Sequence, residues 1–497
     1  MDEVRVCVEK AFTLAQVDER LFSSFIEHLG RAIYTGIYEP GHPLADEQGF
    51  RTDVIDFVKD LRVPLIRYPG GNFLSGYRWM DGIGPKEKRP VRLDVAWKTL
   101  EPNEIGIGEF YDWTRKVGSK VMGSVNMGTG TVQDAADFFE YCNYPGGTYL
   151  SDLRRQNGHD APFDIRTWCI GNEMDGHWQI CHLDAADYGK KALETIKMLK
   201  WIDPQSEAVV CGSSSGLMKS FPEWDRIVLE HTYEKADFIS LHRYYENFDN
   251  DDDFLASFVE LGTYIKAAIA TADYVKALKR SAKTMYLSLD EWNVWYQRRQ
   301  EPHDWQKAPS ILEDHYSLLD ALVVGGLGLT LLNNANRVKI ACLAQLVNVI
   351  APIFTKEGGS AIRQTIYYPF RDISLHGRGV VLTPVVHGPK KETKYGDCPL
   401  VETAVIHDEE GKTVTVFCLN TGKNDLVEFT LDMRSFGKLR MSFWTCLTGK
   451  DLSAENTFEK PNAVNPRNMP VEKTAASTFS ITLPPLSWNV MKFAIVS

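Results

Sequence analysis

Trp168-Cys169-Ile170-Gly171-Asn172-Glu173 decides how this chain reads. Three strand-forming apolar residues run into a glycine, an amide and a carboxylate, so a buried strand ends in a charge. A charge at the edge of a core is costly unless something there uses it. Tyr286-Leu287-Ser288-Leu289-Asp290-Glu291-Trp292 repeats the design. The two glutamates lie 118 positions apart (291 − 173), which suggests two groups meeting across one cleft. Paired carboxylates are what glycoside hydrolysis needs: one protonates the leaving oxygen, the other attacks or activates water.

Outward from these two stretches, strand-like runs alternate with helical ones from about residue 20 to about 350, the signature of a parallel α/β architecture. Strands are predicted at Phe22–His28, Pro64–Tyr68, Lys120–Asn126, Ile165–Glu173, Ala208–Gly212, Phe238–Tyr244, Met285–Trp292 and Val338–Gln345. Between two of them, Asp184 is a predicted N-cap. Tyr188, Ala192, Ile196 and Leu199 form one apolar stripe before Asp203-Pro204 stops the helix. Eight such units suit a (β/α)8 TIM barrel, whose functional residues come from the C-terminal ends of the strands. Polar residues do close nearly every strand: Glu27 and His28, Arg67 then Asn72, Asn126, Asn172 and Glu173, Ser213, His242 and Tyr244, Glu291, and Gln345. A doubly wound open sheet is the architecture that periodicity alone leaves as an alternative.

Beyond about residue 375 helical period gives way to short alternating strands between Gly, Asn, Asp and Pro turns, which predicts an all-β sandwich, jelly-roll-like. The alternating Val4-Arg5-Val6-Cys7-Val8-Glu9 precedes the first barrel strand and cannot join a closed ring, so it is expected in that sandwich. The expected division is 1–17 (strand joining the sandwich), 18–374 (barrel) and 375–497 (sandwich).

At 497 residues two domains are natural. A net charge of −11 argues against a nucleic-acid partner, which would want a basic face. No segment approaches the roughly 20 apolar residues of a membrane span, and Met1-Asp2-Glu3-Val4-Arg5-Val6 carries no secretion signal. Nine cysteines without C-x-x-C spacing, four of them (Cys169, Cys211, Cys342, Cys418) in apolar strand-like runs, fit a reducing cytoplasm.

Each candidate has a plainer reading. Glu173 can be a loop glutamate and Glu291 an ion-pair partner. Against this, Asn172 suits holding a sugar 2-hydroxyl beside a general acid, and Trp292, Trp295 and Tyr296 can stack on sugar rings or simply fill a core. Gly212-Ser213-Ser214-Ser215-Gly216 matches a serine-hydrolase elbow, but Pro222 follows instead of an immediate helix. His28 and His242 lack metal-ligand spacing and read as hydrogen-bonding histidines at the barrel mouth. Asp249–Asp253 lacks the glycine and distal glutamate of a calcium loop and reads as a helix start. Tyr68-Pro69-Gly70-Gly71-Asn72 is too short to cradle a phosphate and bends to present Asn72.

Over nearly its full length the chain resembles the glycoside hydrolase family 51 α-L-arabinofuranosidases. The likeness rests on Ile66–Phe73, Trp97–Glu104, Thr167–Gly176, Ile239–His242, Asp290–Tyr296 and Ala344–Pro352. It implies a barrel with a C-terminal sandwich, retaining chemistry on terminal arabinofuranosyl units of arabinan, arabinoxylan or arabino-oligosaccharides, no metal or organic cofactor, and commonly a cytoplasmic homohexamer. It implies Glu173 as acid/base and Glu291 as nucleophile. Glu27, Asn72, Asn172, Tyr244 and Gln345 fall at positions that bind the sugar ring, and Arg67 at one that keeps the nucleophile ionised. His177, Arg243 and Glu246 depart from the pattern, towards the expected aglycone side. An endo-acting β-glucanase or xylanase barrel and a non-catalytic sugar-binding protein are the rival classes.

Overall fold

The structure, a computed structural model, describes residues 2–297, 303–423, 426–471 and 474–496. Among these residues eight parallel strands close into a ring. In chain order they are Ser23–Phe25, Leu65–Tyr68, Lys120–Val125, Thr167–Ile170, Glu207–Cys211, Phe238–Tyr245, Tyr286–Val294 and Val338–Ala344. Val338–Ala344 pairs back onto Ser23–Phe25, so the sheet is closed and the open alternative is excluded. Every expected strand is present, several of them shorter. Gly171 explains one case: its φ of +96° turns the chain out of the ladder, so the fourth strand stops at Ile170 and Asn172 and Glu173 stand on the loop beyond.

Alternation sorts the strand side chains. Phe25, Leu65, Met122, Cys169, Val209, Phe238, Ile340 and Cys342 fill the ring, while the intervening residues pack outward against helices. Helix Ala185–Ile202 begins at Asp184, whose side chain accepts from the Asp187 N–H, and buries Tyr188, Ala192, Ile196 and Leu199.

The C-terminal part is two packed sheets. The larger is ordered 13–16, 380–382, 401–408, 413–420, 487–496, 438–447 and 467–468; the smaller 385–387, 2–7, 427–432 and 478–483. Asp2–Cys7 runs parallel to Val427–Asp432, with Val4 beside Phe429 and Val6 beside Leu431. Those four side chains lie in the core between the sheets. The first strand is therefore an internal member of the C-terminal sandwich. Thr13–Gln16, which the sequence reading left out, joins the other sheet against Val380–Leu382.

Helix Leu318–Leu332 is buried along its whole length because it lies between barrel and sandwich. A Cβ on Gly325 would stand 2.7 Å from the Trp488 ring, and one on Gly326 would stand 2.9 Å from Leu419. Asp252, in the acidic run read as a helix start, bonds Lys391 and Lys423 across the same junction, while Asn250 caps the helix Asp251–Leu255.

Candidate active site

The strand ends bring Glu173 and Glu291 together. One carboxylate oxygen of each and a ring nitrogen of His242 all lie within 4.8 Å of one another. The seventh strand makes this possible by breaking its own alternation. Its pairing with the eighth shifts register between Leu289 and Trp292, so Asp290 and Glu291, adjacent in sequence, both reach groups on the inner face.

Glu291 is held from two sides. Arg67 Nη1 donates to its Oε1 at 2.6 Å, and the Tyr244 hydroxyl donates to its Oε2 at 2.7 Å. The other end of the guanidinium, Nη2, donates to Asn172 Oδ1 at 2.6 Å, while Asn172 Nδ2 donates to Gln179. Arg67 is fully buried over the Phe25 ring, at 4.7 Å, so its charge acts on Glu291 in a poorly screened setting.

Glu173 has a backbone φ of +42°, unusual for a side chain of its size. His242 Nδ1 donates to its Oε1 at 2.9 Å and Trp178 Nε1 to its Oε2 at 2.6 Å. The imidazole also faces Asp290 Oδ1 at 3.2 Å and Glu291 Oε2 at 3.6 Å. Burial works strongly against a charge on His242. The Glu291 charge and the bonds to Asp290 and Glu173 outweigh it and push the imidazole up to about 10. It is an imidazolium at neutral pH. Burial likewise opposes ionisation of Asp290, and the Arg67 and His242 charges overcome it, holding that carboxyl below its usual range. Asp290 also accepts from Ser240 and from the Cys169 thiol at 3.4 Å. Glu173, His242 and Glu291 are the residues whose donor atoms lie close enough to hold a metal, which would displace the proton of the imidazole. Here that ring carries the site's positive charge together with Arg67.

Glu27 lies across the mouth. Its Oε1 accepts from the Phe73 N–H and Trp97 Nε1, both at 2.9 Å, and its own N–H donates to Gln345 Oε1 at 2.9 Å. Burial above all pushes its carboxyl up to about 8, against those donors. Gly71 must be small: a Cβ there would sit 2.4 Å from Glu27 Oε2. Asn72 opens the short turn Asn72–Gly76, and its side-chain amide has no partner among the described residues. Trp295 packs edge-on to Tyr244, with ring centroids 5.1 Å apart.

Several expectations are corrected. Trp292 does not face the mouth; after the bulge it points outward and packs against Phe370 in the layer under the helices. Tyr296 is likewise buried, bonded to Asp320. Arg243 lies beside Trp292 on that outer face, paired with Glu260 at 2.9 Å, so it does not face an aglycone. Glu246 follows the end of its strand, and His177 is exposed beside Trp178. His28 bonds Glu101 and Tyr68 in the interior. In the serine motif, Ser213 is bonded to Asp225 and Ser214 to Asp175, with no histidine bonded to either among the described residues. A separate cleft of about 380 Å³, lined by Tyr77, Trp79, Asn126 and Phe138 among others, contains neither glutamate.

Sequence reasoning missed Asp290, Trp178 and Trp97. Two consecutive acids at a strand end cannot both follow a period of two, so Asp290 carried a readable signal. Trp97 and Trp178 sit on long loop excursions, whose return to the mouth no local pattern encodes.

Known proteins match this arrangement. An α-L-arabinofuranosidase 1 domain model covers residues 57–253, and an α-L-arabinofuranosidase C-terminal domain model covers residues 290–487. The intracellular exo-α-(1→5)-L-arabinofuranosidase 1 of Bacillus subtilis is 50% identical over 99% of both chains. Its counterpart from Halalkalibacterium halodurans is 49% identical over 98% of both. A solved family 51 α-L-arabinofuranosidase from Bifidobacterium longum superposes with a TM-score of 0.96 at 42% identity, covering 99% of this chain and 100% of that one. With such identity sustained from end to end, the chain belongs to glycoside hydrolase family 51, the α-L-arabinofuranosidases.

Proposed function

We propose that the protein is an exo-acting α-L-arabinofuranosidase that removes terminal arabinofuranosyl units by double displacement with retention. The observation that carries this is the approach of one carboxylate oxygen of Glu173 to one of Glu291, within 4.8 Å. It fits the roughly 5–5.5 Å carboxyl separation of retaining glycosidases and not the 6.5–9.5 Å that leaves room for water in inverting ones.

Glu291, paired with Arg67, attacks the anomeric carbon. Glu173 gives a proton to the departing oxygen as that carbon–oxygen bond breaks, leaving a glycosyl ester on Glu291. The carboxylate so formed on Glu173 accepts from His242 Nδ1 and Trp178 Nε1. Water then attacks the same carbon, the ester bond breaks, and Glu173 takes the water proton. Glu27, protonated at neutral pH, donates to a ring hydroxyl. Asn72, Asn172 and Gln345 bind the others, and these bonds lower the barrier to the extent that they tighten as positive charge develops on the ring.

Short α-(1→5)-linked arabino-oligosaccharides are the preferred substrate class, supported by the names of the two bacterial relatives, with arabinan and arabinoxylan side chains as further sources. The same names support a place inside the cell, and no helix among the described residues is long and apolar enough to cross a membrane. Residues 18–374 form the catalytic unit and 1–17 with 375–497 the sandwich. A homohexamer is the proposed assembly, to be tested by solution mass.

The decisive test compares two variants. Glu291→Ala loses turnover on every substrate. Glu173→Ala loses far more on oligosaccharides than on activated aryl arabinofuranosides, and azide partly restores the latter. Equal losses on all substrates refute the assignment. Cleavage of internal xylan or glucan linkages without aryl arabinofuranoside hydrolysis would indicate the endo-acting reading.

A further inference from the structure

The serine motif and Asp175 have no part in the chemistry above, yet they stand directly behind Glu173. We propose that Asp175 is a positioning residue for Glu173: anchored on Ser214, it fixes the left-handed turn that aims the acid/base carboxylate at the leaving oxygen. This rests on the assignment of Glu173 as acid/base.

The turn needs an anchor. Glu173 is held at a φ of +42°, a left-handed conformation unfavourable for a side chain of its size. The turn closes on itself through the Gly176 N–H donating to the Glu173 carbonyl at 2.8 Å. Asp175 lies inside that turn. Its Oδ2 accepts from both the amide and the hydroxyl of Ser214, each at 3.0 Å, so the loop after the fourth strand is tied to the loop after the fifth.

The post it is tied to is rigid. Ser213, fully buried, donates both its N–H and its hydroxyl to Asp225 Oδ1 at 2.7 and 2.8 Å, and its carbonyl accepts from the Tyr264 hydroxyl at 2.8 Å. Asp225 is on helix Glu223–Thr232 and Tyr264 on helix Ser257–Lys279, so two outer helices grip the dipeptide. Gly212 lets this loop lie flat on the sheet, since a Cβ there would come within 2.1 Å of the Ser240 carbonyl. Thus Gly212-Ser213-Ser214 serves as a bracket for the neighbouring strand's loop. Burial pushes the Asp175 carboxyl up to about 6; the Ser214 N–H opposes this and the Glu173 charge adds to it, so the two carboxylates are electrically in touch.

The experiment compares Asp175→Ala, Asp175→Asn, Ser214→Ala and Glu173→Ala on an α-(1→5)-arabinotriose and on a dinitrophenyl arabinofuranoside, whose leaving group needs no proton. Both Ser214 bonds fall on one oxygen of Asp175, which an asparagine carbonyl can replace. The expected result is a fall of about 100-fold in kcat/KM on the triose for Asp175→Ala. The aryl substrate should change less than about threefold, and Asp175→Asn should recover most of the loss. Ser214→Ala, with one bond of two removed, gives a smaller loss of the same selectivity and serves if Asp175→Ala does not fold. Equal losses on both substrates, no loss, or an asparagine variant as impaired as the alanine overturn the proposal. If Glu173→Ala itself shows no leaving-group selectivity, the acid/base assignment falls and this inference with it. If Glu173→Ala is selective and the Asp175 and Ser214 variants are not, only the inference falls.

Discussion

Raising the pH should destabilise this protein through one side chain, His242. Its pKa climbs from 6.5 to about 10 on folding, so between those values the folded state holds a proton that the unfolded state has released. Stability from this group is complete below pH 6.5 and declines as pH rises towards 10, by about 1.4 kcal/mol per pH unit. His242 is only 2% exposed, so solvent screens its charge little. Over the whole interval the loss approaches about 5 kcal/mol, an appreciable part of the stability of a typical domain. The assay is urea denaturation of wild type and His242→Asn at pH 6.5, 7.5, 8.5 and 9.5. Asparagine keeps a donor near Glu173 but cannot titrate. Carboxyls whose pKa values are raised, such as Asp225 and Glu402 at about 7, contribute to both proteins and cancel in the difference. The wild type is expected to lose about 1.4 kcal/mol per unit more than the variant. Parallel curves would mean a neutral imidazole in the folded protein, and the account of His242 as a cation between three carboxylates would fail.

Two further predictions concern the groups around it. Arg67→Gln leaves Glu291 and Asp290 with His242 as their only close cation among the described residues; it should cost about 3–5 kcal/mol in denaturant stability and lower kcat/KM on every substrate, and unaltered kinetics would rule Arg67 out as the partner of the nucleophile. Gly71→Ala forces a methyl into Glu27, whose carboxyl is pinned by Phe73 and Trp97. A displacement of about 1 Å should lower kcat/KM by about 100-fold with little change in melting temperature, and unaltered kinetics would show that Glu27 does not bind the sugar.

Much of this was legible in the chain because the barrel has a simple grammar. Eight apolar runs each end in a polar residue, and the polar ends meet because closure brings all strand ends to one rim. That rule alone placed Glu173, Glu291, Arg67, Asn172, His242 and Tyr244 at strand ends, along with Asn126 and Ser213, and the family resemblance supplied the roles of Arg67, Asn172 and Tyr244. The rule fails where the backbone breaks its period. At Asp290-Glu291-Trp292 the bulge turns an expected sugar platform into a core residue and brings an unforeseen acid inside. It fails again for contacts made by long loops. Trp97 reaches Glu27 across 70 positions, and the Asp175–Ser214 bond spans 39, so neither leaves a local trace. The serine motif was correctly set aside as a nucleophile, because an elbow requires a helix at once and Glu223–Thr232 starts only after a turn and Pro222.

The seat of the opening strand has a consequence for biosynthesis. Asp2–Cys7 leaves the ribosome well before its parallel neighbour Val427–Asp432, which emerges some four hundred codons later. In that interval an alternating apolar ribbon waits with both edges bare, the kind of segment that invites strays. Premature termination anywhere within the barrel leaves that ribbon permanently unmated. A release of the catalytic half by itself should therefore give an aggregating product unless the first dozen residues are removed along with the tail.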